Sequence, residues 1–239
     1  MSDISVVVPT SPIPAHPDTE VIEETIASIR HWLPDAEIFL TFDGLPPDHY
    51  HRHTQYEEYI RRALWLADHG GWGPVYPEVF TAHQHQSGMM RRILGEITTP
   101  LILYIEHDAP LITDELIDFP AIEKFLLQGH SNLVRLHHEG VIPEDHHHMM
   151  HGEEKGFLRT SQWSQRPHVA TTAFYSRIME GHFPWSDRTF IEDRMHGVVD
   201  TAYREHGLNG WQQYRLHIYN PPGDNLKRSY HLDGRKGHR

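Results

Sequence analysis

The chain has 239 residues and a formal net charge of −12, from 21 Lys and Arg against 33 Asp and Glu. That balance argues against a protein that coats nucleic acid non-specifically, because such binding rests on cationic surface. The absence of cysteine excludes disulfides, thiolate metal sites and thiol nucleophiles, and a hydrophobic share of 38 % suits a folded chain rather than a disordered one.

Ile4 to Val8 is a β-branched run stopped by Pro9, which predicts a buried strand. Asp18 or Thr19 can cap a helix in which Ile22, Ile26, Ile29 and Leu33 recur at helical spacing and Pro34 is the stop. Glu37 to Phe42 predicts a second strand, closed by Asp43-Gly44. A second helix is expected near Gln55 to His69, with Tyr56, Tyr59, Ile60, Ala63 and Ala67 on one face. A third strand lies within Pro74 to Ala82, and a third helix over Ser87 to Ile97 turns Met90, Ile93, Leu94 and Ile97 inward. Leu101 to Ile105 predicts a fourth strand, with Glu106-His107-Asp108 just beyond its end.

The second half is less regular. Leu133 to Leu136, Val169 to Tyr175 and Arg215 to Tyr219 predict strands, and Phe190 to Arg204 a helix. Pro143 to Gly156 reads as a loop rich in histidine and acid. No repeat and no long linker divides the chain, so residues 1–239 are expected to form one domain.

Alternating strands and helices predict an α/β fold with a mostly parallel, doubly wound sheet. Ligands in such sheets bind at the carboxyl ends of the strands. Three loops fall there: Pro9-Thr10-Ser11, Asp43-Gly44 and Glu106-His107-Asp108. Two carboxylates one residue apart can share a hard cation, with a diphosphate completing its shell, although alone such a pair is more often a solvated turn. Glu192-Asp193-Arg194 opens a helix after Phe183-Pro184-Trp185, and a carboxylate there can act as general base.

The order of these features resembles glycosyltransferases of the GT-A fold, especially family 2. The resemblance rests on Val6-Val7-Val8-Pro9-Thr10, Asp43 after the second strand, and Leu103-Tyr104-Ile105-Glu106-His107-Asp108 in place of an Asp-x-Asp motif. It continues with Gly181-His182-Phe183 and then Glu192-Asp193-Arg194, a form similar to the chitin-synthase branch. It covers roughly Ile4 to Val199 as ordered landmarks. The first acid of the metal motif is Glu, Met90-Arg91-Arg92 replaces the family's Arg-Asn, and Gln212-x-x-Arg215-Leu216 lacks the Trp of the processive members.

The resemblance implies a GT-A-like central sheet, with residues 1–110 as the nucleotide-sugar half, 111–226 as the acceptor half and 227–239 as a basic tail. It implies an inverting transfer from a nucleoside diphosphate sugar, a UDP-sugar first among them. Pro9, Thr10, Ser11 and Asp43 would hold the nucleoside. Glu106 would face the ribose or the metal, and Asp108 the metal, manganese or magnesium. His231 or His217 would complete the shell. Asp193 would be the base, assisted by Glu192. Arg91, Trp185, Arg194, Lys227 and Arg228 are further candidates for binding substrate, the last two by closing over the phosphates. Compact enzymes of this kind also resemble those with which phages glycosylate 5-hydroxymethylcytosine, so modified DNA is one expected acceptor. A protein or polysaccharide is another.

Two rivals remain at this stage. A metal-dependent nucleotidyltransferase or hydrolase also needs acids at strand ends. A histidine-rich metal-binding protein would use His146, His147, His148 and His151. No apolar run approaches the ~18 residues of a membrane span, and Met1-Ser2-Asp3-Ile4 has no basic stretch ahead of an apolar one. A cytoplasmic location is expected, in the host if the protein is phage-encoded.

Overall fold

The structure, a computed structural model, describes residues 3–221, 223 and 225–232. The amino-terminal half alternates as expected, with strands β1 (Ile4–Thr10), β2 (Ile38–Phe42), β3 (Val75–Val79) and β4 (Leu101–Tyr104). Between them lie helices α1 (Glu20–Trp32), α2 (His53–His69) and α3 (His85–Leu94). There follow α4 (Phe119–Leu127), β5 (Leu133–Arg135), β6 (Met150–Glu154), β7 (Phe157–Thr160) and β8 (His168–Thr171). The chain then forms α5 (Thr172–His182), α6 (Ile191–His206), α7 (Leu208–Tyr214) and β9 (Leu216–Tyr219).

Among the described residues, nine strands join one sheet in the order β3, β2, β1, β4, β8, β5, β9, β7, β6. The strand directions make it mostly parallel: β7 and β8 run against the rest. Both faces of the central strands are covered, so β1, β2 and β4 are buried along their whole length. Val6 and Val8 of β1 pack with Ile22, Ile26 and Ile29 of α1, Tyr59 of α2 and Ile122 of α4. Val7, one residue out of step, joins Met90 and Ile93 of α3, Phe174 and Ile178 of α5 and Met195 of α6 on the other face. The two-residue period of the strand thus feeds two cores.

Several local outcomes differ from the sequence expectations. The apolar run from Val169 does not continue as a strand to Tyr175; it turns directly into α5, because Thr171 caps the helix by accepting the Phe174 N–H at 3.2 Å. Residues 143–156 are not an open loop but a 3-10 turn (Glu144–Met149) followed by β6. Helix α4 was passed over, though Asp118 caps it at 3.0 Å with Pro120 in its first turn. At α1, Asp18 accepts the Glu20 N–H at 2.7 Å, whereas the Thr19 hydroxyl donates to the Glu23 carboxylate at 2.6 Å and caps no backbone N–H.

Residues 226–232 form a strap across the end of β4. Its backbone bridges Leu111 with Ser229 and His137 with Lys227, and the Leu232 N–H reaches the Asp108 carbonyl at 2.8 Å. The remainder of the expected basic tail, including Arg235, Lys236 and Arg239, lies outside the described residues. No described helix is long and apolar enough to cross a membrane.

Candidate active site

The parallel register of β1 with β2 and β4 delivers three loops to one edge of the sheet. Thr10, Asp43, Glu106 and Asp108 there line a cavity of about 510 Å³, together with His85 and Phe190. Pro9 and Ser11 belong to the same wall. Asp43 is almost fully buried, and its carboxylate accepts the backbone N–H groups of Gly44, Gln84 and His85 at 2.8, 2.6 and 2.9 Å. It therefore shapes the 83–85 loop. Gly44 is needed for that approach, since a Cβ would lie 2.3 Å from the Ala82 carbonyl carbon.

The acidic motif is held by its backbone. The His107 N–H donates to the Pro9 carbonyl at 3.3 Å, and the His107 carbonyl accepts the Thr25 hydroxyl at 2.7 Å. Glu106 and Asp108 both line the cleft. His231, carried in by the strap, places Nε2 3.3 Å from Asp108 Oδ2.

A second cavity, of about 680 Å³, shares Glu106 with the first. Glu192 and Asp193 of α6 line it, with Gln165, Arg166 and His231. Glu192 is oriented by the Gln165 N–H at 2.8 Å, whereas Asp193 is exposed. The two acidic pairs expected to converge thus meet around one residue, Glu106. Gln86 spans them: its amide donates to the Glu106 carboxylate, and its carbonyl accepts the Ile191 N–H at 3.2 Å.

The electrostatics follow from this crowding. Burial, then the charges of Asp108 and Glu192 outweighing that of His231, push Glu106 up to about 8. Burial also opposes ionisation of Asp108, but His107 and the hydrogen bond and charge of His231 outweigh it and bring Asp108 down to about 2. Beneath the second cavity, Arg135 is fully buried and donates to Gln162 at 2.9 Å. Burial and the neighbouring Arg166 pull Arg135 down to about 9, although Glu192 and Glu139 favour its charge.

Other candidates are placed elsewhere. Arg91 donates to the Phe183 carbonyl and lies 4.9 Å over the Trp185 ring, so these two engage each other outside both cavities. Arg194 pairs with Asp187 at 2.5 Å and sits over Phe183. Arg228 is buried and donates to the Leu116 and Asn225 carbonyls at 2.9 and 3.0 Å, so it secures the strap and does not face the cleft. Exposed Lys227 lines neither cavity. His217 is buried in β9, bonded to Ser131 at 2.8 Å and packed against Phe125 and Trp211, away from the acids. The histidines of 146–151 disperse: His147 bonds the Ile142 carbonyl, His151 stacks on Tyr203, and His146 reaches the second cavity.

Sequence reasoning missed Gln86, Gln165 and Arg166. One signal was available for Gln86: it stands four places, about one helical turn, before Met90, the first inward-facing residue expected of α3. Gln165 and Arg166 lie in an irregular segment with no periodicity to place them.

Among the described residues, no three histidine, aspartate or glutamate side chains are grouped to hold a metal ion by themselves. Asp108 and His231 lie 3.3 Å apart, and Glu106 lines the same cavity as Asp108; carboxylate oxygens of this kind are the donors a hard divalent cation takes. Glu106 is raised by burial first and by the charges of Asp108 and Glu192 second, and a bound cation would offset both.

No protein-family model matches the sequence, and no curated protein matches it. Solved structures do share the fold. S. aureus TarS 1–349 aligns over 96 % of this chain and 60 % of its own, at 13 % identity and a TM-score of 0.56. The same protein in complex with UDP-GlcNAc aligns over 96 % and 58 %, at 14 % identity and a TM-score of 0.56. The mannosyltransferase PcManGT from Pyrobaculum calidifontis, in complex with GDP-Man and Mn2+, aligns over 95 % and 56 %, at 16 % identity and a TM-score of 0.59. The chain thus spans about six-tenths of the length of these solved chains and 36 % of the longer S. aureus TarS structure. Its architecture is GT-A-like, with helices on both faces of a mostly parallel sheet.

Proposed function

We propose that this protein is an inverting glycosyltransferase, moving a sugar from a nucleoside diphosphate sugar to a hydroxyl acceptor. The observation that carries this reading is the position of Glu106, the common wall between a cavity lined by Thr10, Asp43 and Asp108 and one lined by Glu192 and Asp193. The first cavity takes the nucleotide and the second the acceptor. The acceptor oxygen attacks the anomeric carbon while the bond from that carbon to the diphosphate oxygen breaks, its electron pair leaving with the diphosphate. Asp193 takes the acceptor proton. Asp108, Glu106 and His231 would hold manganese or magnesium, which when bound supplies positive charge against the departing diphosphate. The fold shared with a mannosyltransferase that binds GDP-Man and Mn2+ supports this assignment.

For the acceptor, a carbohydrate or protein hydroxyl fits better than hydroxymethylated DNA. The second cavity offers hydrogen-bonding side chains such as Gln162, Ser164 and Gln165. Among the described cations, Arg91 engages Phe183, Arg92 engages Glu78 and Glu96, and Arg228 engages the strap, while Lys227 is exposed. Labelled nucleotide sugars incubated with hydroxymethylated duplex DNA at low salt should leave the DNA unlabelled; incorporation would reverse this ordering.

The central test is a thermal-shift screen of nucleotide sugars with Mn2+, including UDP-GlcNAc and GDP-Man. A donor at 100 times its dissociation constant stabilises by about 2.7 kcal/mol. The metal-dependent part of that shift should vanish in Asp108→Ala. A wild-type protein that no nucleotide sugar stabilises would reject the transferase.

A further inference from the structure

We infer that Gln86 is a positioning residue that sets the register between the donor and acceptor halves of the site. The inference rests on the transferase reading above. Gln86 stands at the first turn of α3 and is 6 % exposed. Its side chain has two ends of opposite chemistry, and the fold uses both. The amide nitrogen donates to Glu106, beyond the end of β4. The amide oxygen accepts the backbone N–H of Ile191, the first residue of α6, at 3.2 Å. The next two residues of α6 are Glu192 and Asp193, so this one bond fixes where the acidic turn begins.

Neighbouring contacts make the strut directional. Ser87 Oγ accepts the Thr189 N–H at 3.1 Å, and the Ser87 N–H donates to the Thr189 carbonyl at 3.2 Å. These bonds clamp the segment before α6 to α3. They hold the approach to the helix but touch neither acidic pair. Gln86 alone, among these bonds, reaches a carboxylate of the donor side while holding the helix that carries the acceptor-side acids.

A glutamine suits this task because it donates and accepts at once without charge. A glutamate would keep an acceptor for Ile191 but turn a carboxylate against Glu106. A methionine would fill similar space and make neither bond. A residue that only fills the core would affect folding; one that sets distance between the halves affects turnover at a given donor occupancy.

The test compares wild type with Gln86→Met and Gln86→Glu. Donor affinity is measured by titration with UDP and with GDP in the presence of Mn2+. Turnover is measured as nucleoside diphosphate release from UDP-GlcNAc or GDP-Man, with water as the acceptor. Amide exchange at the start of α6 reports the strut itself. Gln86→Met should release product at least tenfold more slowly, with donor affinity within threefold of wild type and faster exchange at Ile191. Gln86→Glu should keep exchange at Ile191 slow and still lose turnover at least tenfold. Gln86→Met turnover within twofold of wild type would overturn the inference and leave the transferase standing. Loss of turnover matched by an equal loss of donor affinity would also overturn it, making Gln86 a donor contact. A wild type that binds neither nucleotide nor nucleotide sugar would end the transferase reading itself, and the positioning role with it.

Discussion

The two walls of the cleft are built by different physics. The wall we propose for the donor comes from topology. β1, β2 and β4 are parallel neighbours, so their carboxyl ends emerge side by side whatever the loops contain. The wall we propose for the acceptor comes from individual long-range bonds: Glu192 is held by Gln165 and Ile191 by Gln86. The lesson is that one half of a site can be a by-product of strand order while the other depends on single side chains.

Four experiments can break or sharpen that contrast. The largest effect is expected from Asp193→Asn, which should lower product release by about 10²–10⁴-fold while leaving the donor-induced melting shift intact. Lost donor binding would move Asp193 to the other wall. Next, Arg228→Ala removes a buried guanidinium that carries the strap and should cost about 2–4 kcal/mol. In a chain of this size that is a fall of roughly 5–15 °C by calorimetry. The Mn2+-dependent donor shift should weaken with it, since His231 rides on the same strap; an unchanged melting point would show that the strap bears no load.

Acid should then act unevenly. Burial holds His168 and His217 neutral, each lowered to about 4. Their unfolded counterparts take protons near pH 6.5, so the stability they contribute is complete above 6.5 and drains away as pH falls toward 4. The loss is at most about 3 kcal/mol per histidine. His137 beside β5 is held neutral in the same way, and His16 against Tyr59 weighs on the first half, so with three such histidines to one, amide exchange at pH 5 should rise more in β5, β8 and β9 than in β1 and β2. The smallest effect belongs to Trp185→Ala. Trp185 is 83 % exposed and stacks only on Arg91 in the ring contacts described here. Its removal should cost about 1 kcal/mol or less and leave donor affinity unchanged by titration; a large loss of affinity would bring the 183–185 loop into the site.

This contrast also explains what the sequence made legible. Four strands and three helices of the first half were readable because β-branched runs and residues such as Ile22, Ile26 and Ile29 carry clean periods. The Glu106 and Asp108 pair was placed by counting strands. In the second half the same reasoning ran Val169 to Tyr175 as one strand, since a continuous apolar run does not show where Thr171 turns it into a helix. Strands β6 and β7 are short and polar, and no alternation marks them. Charged residues were the hardest. Arg91, Arg194 and Arg228 look identical on paper to phosphate ligands, yet their guanidinium groups are spent on carbonyls and rings inside the fold. Gln86 carried no charge to attract notice, and its role appears only when both ends of its amide are traced.

The strap has a consequence for assembly. Strands β1 to β4 can pair with one another once residues 1–104 have left the ribosome, although β4 still lacks β8 on its other side. The imidazole of His231 arrives only after β9 has been laid beside β5. A nascent chain would therefore pass through a stage in which the loops after β1 and β2 are in place while the strap that sets His231 beside Asp108 is still to come.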